Sequence, residues 1–394
     1  ARNRIGGRTW TDETFADFPV ELGAEFIHGG SVITHKFVKE AGLGEIPVDR
    51  FGKLRWSDGE KARMVADLPE GLRSTIEKLW QDYGKIVNAD FTKDISLADY
   101  LKARGHSSEA LEVADVLLAQ TCVASLHTLS CKDLQRDMHL DTKNKGDTHD
   151  AESRIREGYN ALFTYLSQGL KIWLSSPVQK IEQNKANVTV TTNTQSFTAK
   201  TCLITLPVTI LQSAVIQFAP PLSFEKQRAI HALKMEAGTK LLYSFTKPFW
   251  DEALTYMLHD DTASRWWTPG HGRKDSRVIA CYTTSSRARV LDELSKAKSL
   301  HTGLKQLSKL LDISLESLEK HLLKSKRVAW AHDPYALGAY AHVPPGAAEA
   351  RVDLARPESR LFFAGEATAY DSTPQTVHGA LESGVRAARE VIQN

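Results

Sequence analysis

The chain has 394 residues, 42% hydrophobic and 25% charged, a composition that excludes a disordered or fibrous protein and leaves room for two globular domains. Its formal net charge of +2 gives no bulk pull toward nucleic acid or a membrane surface, and no apolar run approaches the length of a membrane span, so neither partner is expected. Cys122, Cys131, Cys202 and Cys281 show neither C-x-x-C pairing nor a histidine spacing suited to zinc, which predicts free thiols, a reducing cytoplasmic compartment and no metal.

The chain opens with Arg2, Arg4 and Arg8 around Gly6-Gly7, a cationic loop whose glycines permit close backbone approach and which suits either a pyrophosphate or plain solvent. Residues 18–30, Phe-Pro-Val-Glu-Leu-Gly-Ala-Glu-Phe-Ile-His-Gly-Gly, read as an extended segment stopped by glycines. Helical spacing follows over 34–42, then strands over 49–62 joined at Ser57-Asp-Gly59, then helices over 68–102 and 108–140 and a polar loop over 142–151. Antiparallel strands are predicted at 172–174, 178–181, 188–192 and 197–199, and a buried strand at 202–207 that proline stops.

A helix ending near Leu233 precedes a strand over 238–245 that carries Lys240 near its start. An ammonium there is unusual, because burying it without a partner is costly. Trp266-Trp267 reads as core and 273–277 as a basic turn; a strand over 278–283 and two helices over 287–323 come next. Near the end, Leu361 to Ala364 is too short an apolar run for a helix and stops at Gly365-Glu366, and the small residues from Thr376-Val377 onward read as a closely packed helix. A buried strand running into a loop and a helix places a ligand beyond the strand's carboxyl end.

Ala1-Arg-Asn-Arg-Ile-Gly-Gly-Arg8, Glu21-Leu-Gly-Ala24 with Ile27-His-Gly29, Phe363-Ala-Gly-Glu366 and His378-Gly-Ala380 with Ser383-Gly384 together resemble the flavin-containing amine oxidases, the family of monoamine oxidases, polyamine oxidases and lysine-specific histone demethylases. The resemblance runs the length of the chain. It implies an α/β fold with α+β elements: an FAD-binding, Rossmann-like domain (1–40, 151–210 and 341–394) interleaved with a substrate domain of mixed sheet covered by helices (41–150 and 211–340). It also implies noncovalent FAD, since Ala339 stands where monoamine oxidases carry the cysteine that bonds to the flavin.

FAD contacts are implied at Arg2, Arg4, Gly6, Gly7, Arg8, Leu22, Gly23, Ala24, Val178, Gly365, Glu366, Thr376 and Val377. Lys240 matches the lysine that holds a water at flavin N5, Tyr340 one wall of an aromatic cage, and Thr376 the position of a second cage tyrosine; His28 faces the substrate. Glu157 replaces a family glycine ahead of Gly158-Tyr159. The family's G-x-G-x-x-G turn has no counterpart here, so the resemblance implies that a missing segment or a separate chain supplies it.

The implied chemistry is transfer of hydride from a carbon bearing a neutral amine to the flavin, with O2 reduced to H2O2, on a polyamine-like or other amine. An L-amino-acid oxidase is the nearest alternative; it needs an arginine for the carboxylate, and Arg265 and Arg277 are both available. A flavin-free binding protein or an inactive fragment is the alternative of another class.

Overall fold

The computed structural model describes residues 1–145, 152–273 and 276–393. Its centre is the strand Gly238–Phe245, eight residues that are all buried. The strand pairs antiparallel with Leu322–Ala329 on one side and Val278–Thr284 on the other. Arg265–Trp267, Tyr256–Leu258, Leu54–Ser57 and Ala62–Met64 extend the sheet to seven strands, antiparallel except where Tyr256–Leu258 runs parallel to Leu54–Ser57.

Strand alternation divides this sheet's side chains between two cores. Leu241, Tyr243, Phe245, Trp266, Ile279 and Cys281 pack on one side with leucines of the helices Ser285–Glu293, Lys296–Leu311 and Leu315–His321. Leu242, Tyr256, Trp267, Val278 and Ala280 face the helices Glu70–Gly84, Leu97–Ala103, Ser108–Leu117 and Cys131–Lys145. Lys240 lies opposite Tyr282 in the register, so both fall on this second face.

Elsewhere, a four-stranded sheet is built from 178–183, 188–192, 196–199 and 217–219. A parallel pair joins Cys202–Ile204 to Leu361–Phe363, and a three-stranded sheet joins Ile27–His28, Glu152–Ile155 and Glu45–Val48. A core of Ile181, Ile204, Val208, Leu354, Leu361 and Phe363 backs the parallel pair, which leads through Gly365 to the helix Val377–Gln393. No helix among the described residues is long and apolar enough to cross a membrane.

Several sequence-based expectations change. Residues 172–174 form no strand, and Leu170, Ile172, Trp173 and Leu174 are exposed; alternation is a local signal, whereas a strand needs a neighbour for its N–H and C=O groups. The stretch 287–323 holds three helices, because Ser295 and Ser314 each cap a new start by accepting the N–H of Lys298 and Ser317. Only 20–21 and 27–28 of the extended segment at 18–30 are paired strand. The helix from Cys131 continues to Lys145, while the rest of the loop expected to 151, and Lys274-Asp275 of the basic turn, lie outside the described residues.

Candidate active site

Lys240 is 2% exposed, and desolvating an ammonium costs several kcal/mol unless its donors are met. The chain meets all three: Nζ donates to the Glu25 carboxylate at 3.0 Å, to the Glu21 carbonyl at 2.8 Å and to the Gly23 carbonyl at 3.2 Å. Glu25 also accepts from Arg154 Nε and Trp267 Nε1, both at 2.9 Å. Burial alone would raise the Glu25 carboxyl, but Lys240 and Arg154 outweigh it and hold the group below its ordinary range. Beside it the Glu21 carboxyl accepts the Tyr159 N–H at 2.7 Å and the Thr11 hydroxyl at 3.0 Å, and among the described residues no cation forms an ion pair with it. Burial pushes Glu21 up to about 7.

Around this pair the sheet face is aromatic. Lys240 Nζ stands 5.0 Å from the centre of the Trp267 ring, which meets Phe26 at 5.7 Å and Tyr282 at 6.4 Å, both edge-on. Tyr340 donates to the Thr121 carbonyl at 3.2 Å; desolvation pushes its phenol up to about 12, against the nearby Arg265. Arg265 in turn bonds the Tyr256 hydroxyl at 2.7 Å and Thr121 Oγ1 at 2.9 Å. His28 Nδ1 lies 2.6 Å from Glu152, which also takes two bonds from Arg50. Burial works to raise the Glu152 carboxyl, but Arg50 and His28 bring it down to about 2.

The residues expected to hold a flavin fall into two groups. Arg8 Nη1 donates to Glu366 at 2.9 Å and to the Ala339 carbonyl at 2.5 Å, which ties the N-terminal loop to Gly365-Glu366 and to the residue before Tyr340. Leu22 is fully buried and its carbonyl accepts from Trp330 Nε1. Gly23 has no room for a side chain, since a Cβ would fall 1.8 Å from the Arg8 carbonyl oxygen, and Ala24 N–H bonds that same carbonyl at 3.3 Å. Thr376 Oγ1 accepts the Gly379 N–H at 2.9 Å and so caps the helix 377–393, while Val377 packs on the core of Ile27, Val38 and Tyr159.

Arg2, Arg4 and Val178 lie apart from these. Arg2 grips Asp333 with both terminal nitrogens, and Arg4 clasps the carbonyls of Ile5, Gly7 and Thr9 within its own loop, where Gly6 and Gly7 take positive φ. Both arginines line a groove of about 740 Å³ with Trp10, Pro177, Asn193 and Tyr335, and Val178 adjoins it in sequence.

A flavin fits the first group. Gly365 has φ +121°, and nothing lies closer than 3.9 Å to where its Cβ would be. The N–H groups of Val377 and His378, the first two of the helix 377–393, have no acceptor among the described residues, as helix starts leave N–H groups over. Gly365 leaves room for a ligand, and the helix start offers donors toward one. Glu157, the departure from the family glycine, is accommodated: its carboxylate accepts the Gly44 N–H at 2.9 Å.

Sequence reading missed Glu25, Arg154, Glu152 and Tyr282. Glu25 was inside the quoted segment, and its signal was an acid among buried small and apolar neighbours. Trp266-Trp267 is core at both positions, Trp266 on one face of the sheet and Trp267 on the other, where it meets Lys240.

The same arrangement of chain occurs in a putrescine oxidase solved with putrescine bound, at a TM-score of 0.85 and 18% identity over 100% of this chain and 92% of that one. It also occurs in cyclohexylamine oxidase from Brevibacterium oxydans IH-35A, at 0.81 and 17% over 100% and 92%. At such identities the likeness is one of fold. The profile described as flavin containing amine oxidoreductase matches residues 1–392, and the chain belongs to that family. Its relatives include polyamine oxidase 4 of Oryza sativa subsp. japonica, 27% identical over 99% of this chain and 82% of the relative. Lysine-specific histone demethylase 2 of Homo sapiens is 26% identical over 99% and 50%, and nicotine dehydrogenase of Pseudomonas putida (strain DSM 28022 / S16) 26% over 100% and 82%.

Proposed function

We propose that this chain oxidises an amine to an imine with noncovalently bound FAD, and that O2 is the electron acceptor and H2O2 the product. The observation that carries the reading is the buried Lys240–Glu25 pair on an aromatic sheet face with Trp267 and Tyr282. A buried ionisable group beside a specific charge partner marks a functional-site candidate. When bound, the flavin supplies the acceptor for hydride from the carbon bearing the amine.

The chain's own residues bind, orient and exclude water. Arg8, Gly23, Gly365, Glu366 and the helix start at Thr376-Val377 would hold the flavin, the helix N-terminus favouring negative charge placed there. Tyr340, with its phenol kept neutral, and Tyr282 would flank the substrate amine. His28 and Glu152 would lie on the substrate side, and Lys240 would organise the oxygen-reacting face. In this division of labour residues 1–40, 151–210 and 341–394 serve the flavin, and 41–150 and 211–340 the substrate. Arg2, Arg4 and Val178, at the groove, would hold the nucleotide end, with a glycine-rich strand–turn–helix from a further segment or chain completing that grip. A reducing, cytoplasmic setting agrees with cysteines that are all unpaired.

The polyamine oxidases among the relatives put polyamines among the amines to screen. The test is to titrate the chain with FAD, alone and with an upstream segment or neighbouring gene product added. Amines are then added without oxygen while flavin absorption is followed, and air is readmitted with peroxide detection. Bleaching by an amine and peroxide on readmission are expected. Bleaching without peroxide would replace O2 by another acceptor, and absence of FAD binding in every mixture would refute the reading.

A further inference from the structure

Charge around the site does not balance. Lys240 and Arg154 share Glu25, and Arg50 takes Glu152 together with His28. Arg265 is left over: its residue is 3% exposed, and among the described residues no carboxylate lies within ion-pair reach of it. A buried guanidinium is ordinarily paired, because neutral oxygens replace only part of its lost hydration. Among the described residues Arg265 has the Tyr256 and Thr121 hydroxyls as hydrogen-bond partners, with its carbon 5.6 Å from the centre of the Tyr256 ring.

The third nitrogen of this guanidinium, Nη2, has no partner among the described residues, and it is not sealed from open space as Arg154 Nη1 is. Thr121 is exposed, and it holds Arg265 through its hydroxyl and Tyr340 through its carbonyl. The shared contact with Thr121 sets the guanidinium beside Tyr340. Alternation along Arg265–Trp267 also puts Arg265 on the same sheet face as Trp267 and Lys240.

We propose that Arg265 is an anion-binding residue of the substrate site, and that the amine oxidised here also carries a carboxylate, as an amino acid does. The proposal rests on the amine-oxidation reading and narrows its substrate. A planar guanidinium with an unused edge matches the two oxygens of a carboxylate. A diamine would instead bring a second positive charge to a site with more buried cations than carboxylates, which low local polarity makes unfavourable. Because Arg265 and Tyr340 both touch Thr121, few bonds separate the carboxylate from the amine.

The test compares ligands matched except for the carboxylate: L-phenylalanine with 2-phenylethylamine, L-leucine with 3-methylbutylamine, and 4-aminobutanoate with propylamine. Binding to the FAD-loaded protein is read from tryptophan fluorescence, which Trp267 reports, and flavin reduction is followed in parallel. In at least one pair the carboxylate member should bind about 30-fold more tightly, the worth of one charge-assisted pair. Arg265→Gln should bring that ratio near one, and Arg265→Lys, a point charge without the fork, should keep part of it. Equal or tighter binding of the carboxylate-free member in every pair would overturn the proposal, as would a preference that survives Arg265→Gln. If the glutamine variant loses its circular dichroism signature, the lysine variant decides alone, and an undiminished ratio there overturns it. If no ligand reduces the flavin, the amine-oxidation reading fails, while the fluorescence ratios still decide the role of Arg265.

Discussion

Glu21 is the residue at which removing a charge should strengthen this protein. Its carboxyl is buried, receives the Tyr159 N–H and the Thr11 hydroxyl, and is lifted from 4.5 to about 7. At about 1.4 kcal/mol for each tenfold change, that lift corresponds to about 3 kcal/mol. The sign follows from proton uptake: between the unfolded value of 4.5 and the folded value of about 7 the native protein keeps a proton that the unfolded chain has released. Stability therefore falls as pH rises through that window, and above it the full cost applies. Glu21→Gln keeps an acceptor for Tyr159 and a donor for Thr11 but cannot ionise. With an unfolding entropy of about 2.1 cal/mol/K per residue, about 3 kcal/mol is roughly 4 °C in Tm for a chain of this length. Thermal unfolding at a fixed scan rate should show the variant about 4 °C above the parent near pH 8, with the two converging toward pH 5. A variant less stable near pH 8, or a gain independent of pH, would refute the reasoning.

Four other outcomes follow from the same contacts. Gly23→Ala, whose Cβ would meet the Arg8 carbonyl at 1.8 Å, should cost about 3 kcal/mol and weaken FAD binding by shifting the Arg8–Glu366 pair; thermal unfolding and FAD titration check both. Lys240→Met leaves Glu25 with Arg154 and the Trp267 N–H and should destabilise by about 3 kcal/mol. It should also slow reoxidation of reduced flavin in stopped flow, and an unchanged rate would remove the lysine from that step. Tyr340→Phe should lower kcat/KM about tenfold with little change in Tm, since it deletes one bond to a carbonyl. Glu152, held at about 2, adds stability that is complete above its unfolded 4.5 and lost as pH falls toward 2. Glu152→Gln should accordingly flatten the acid limb of the Tm profile while lowering Tm near pH 7.

Family membership was legible in short, covalently local patterns: the Gly6-Gly7 loop with its arginines, the segment around Gly23, and Gly365-Glu366 before a small-residue helix. Such motifs are visible because each residue type answers a local backbone demand, as Gly23 does where a Cβ would meet the Arg8 carbonyl. Lys240 was legible for a similar reason, as a charge inside an apolar strand. Residues 172–174 show the limit of local reading, since their alternation matches a strand but no neighbour pairs with them.

What only the tertiary structure decided is which distant groups neutralise one another. Lys240 and Glu25 are 215 positions apart, and Arg154 reaches the same carboxylate across 129. Arg8 is fastened to Glu366, and Arg2 to Asp333. The sequence by itself determined that the chain carries cations near an expected flavin site. Pairing energy depends on distance and burial, and neither is written in residue order. Only the folded chain separates arginines that are already spent on a carboxylate from Arg265, which has none among the described residues.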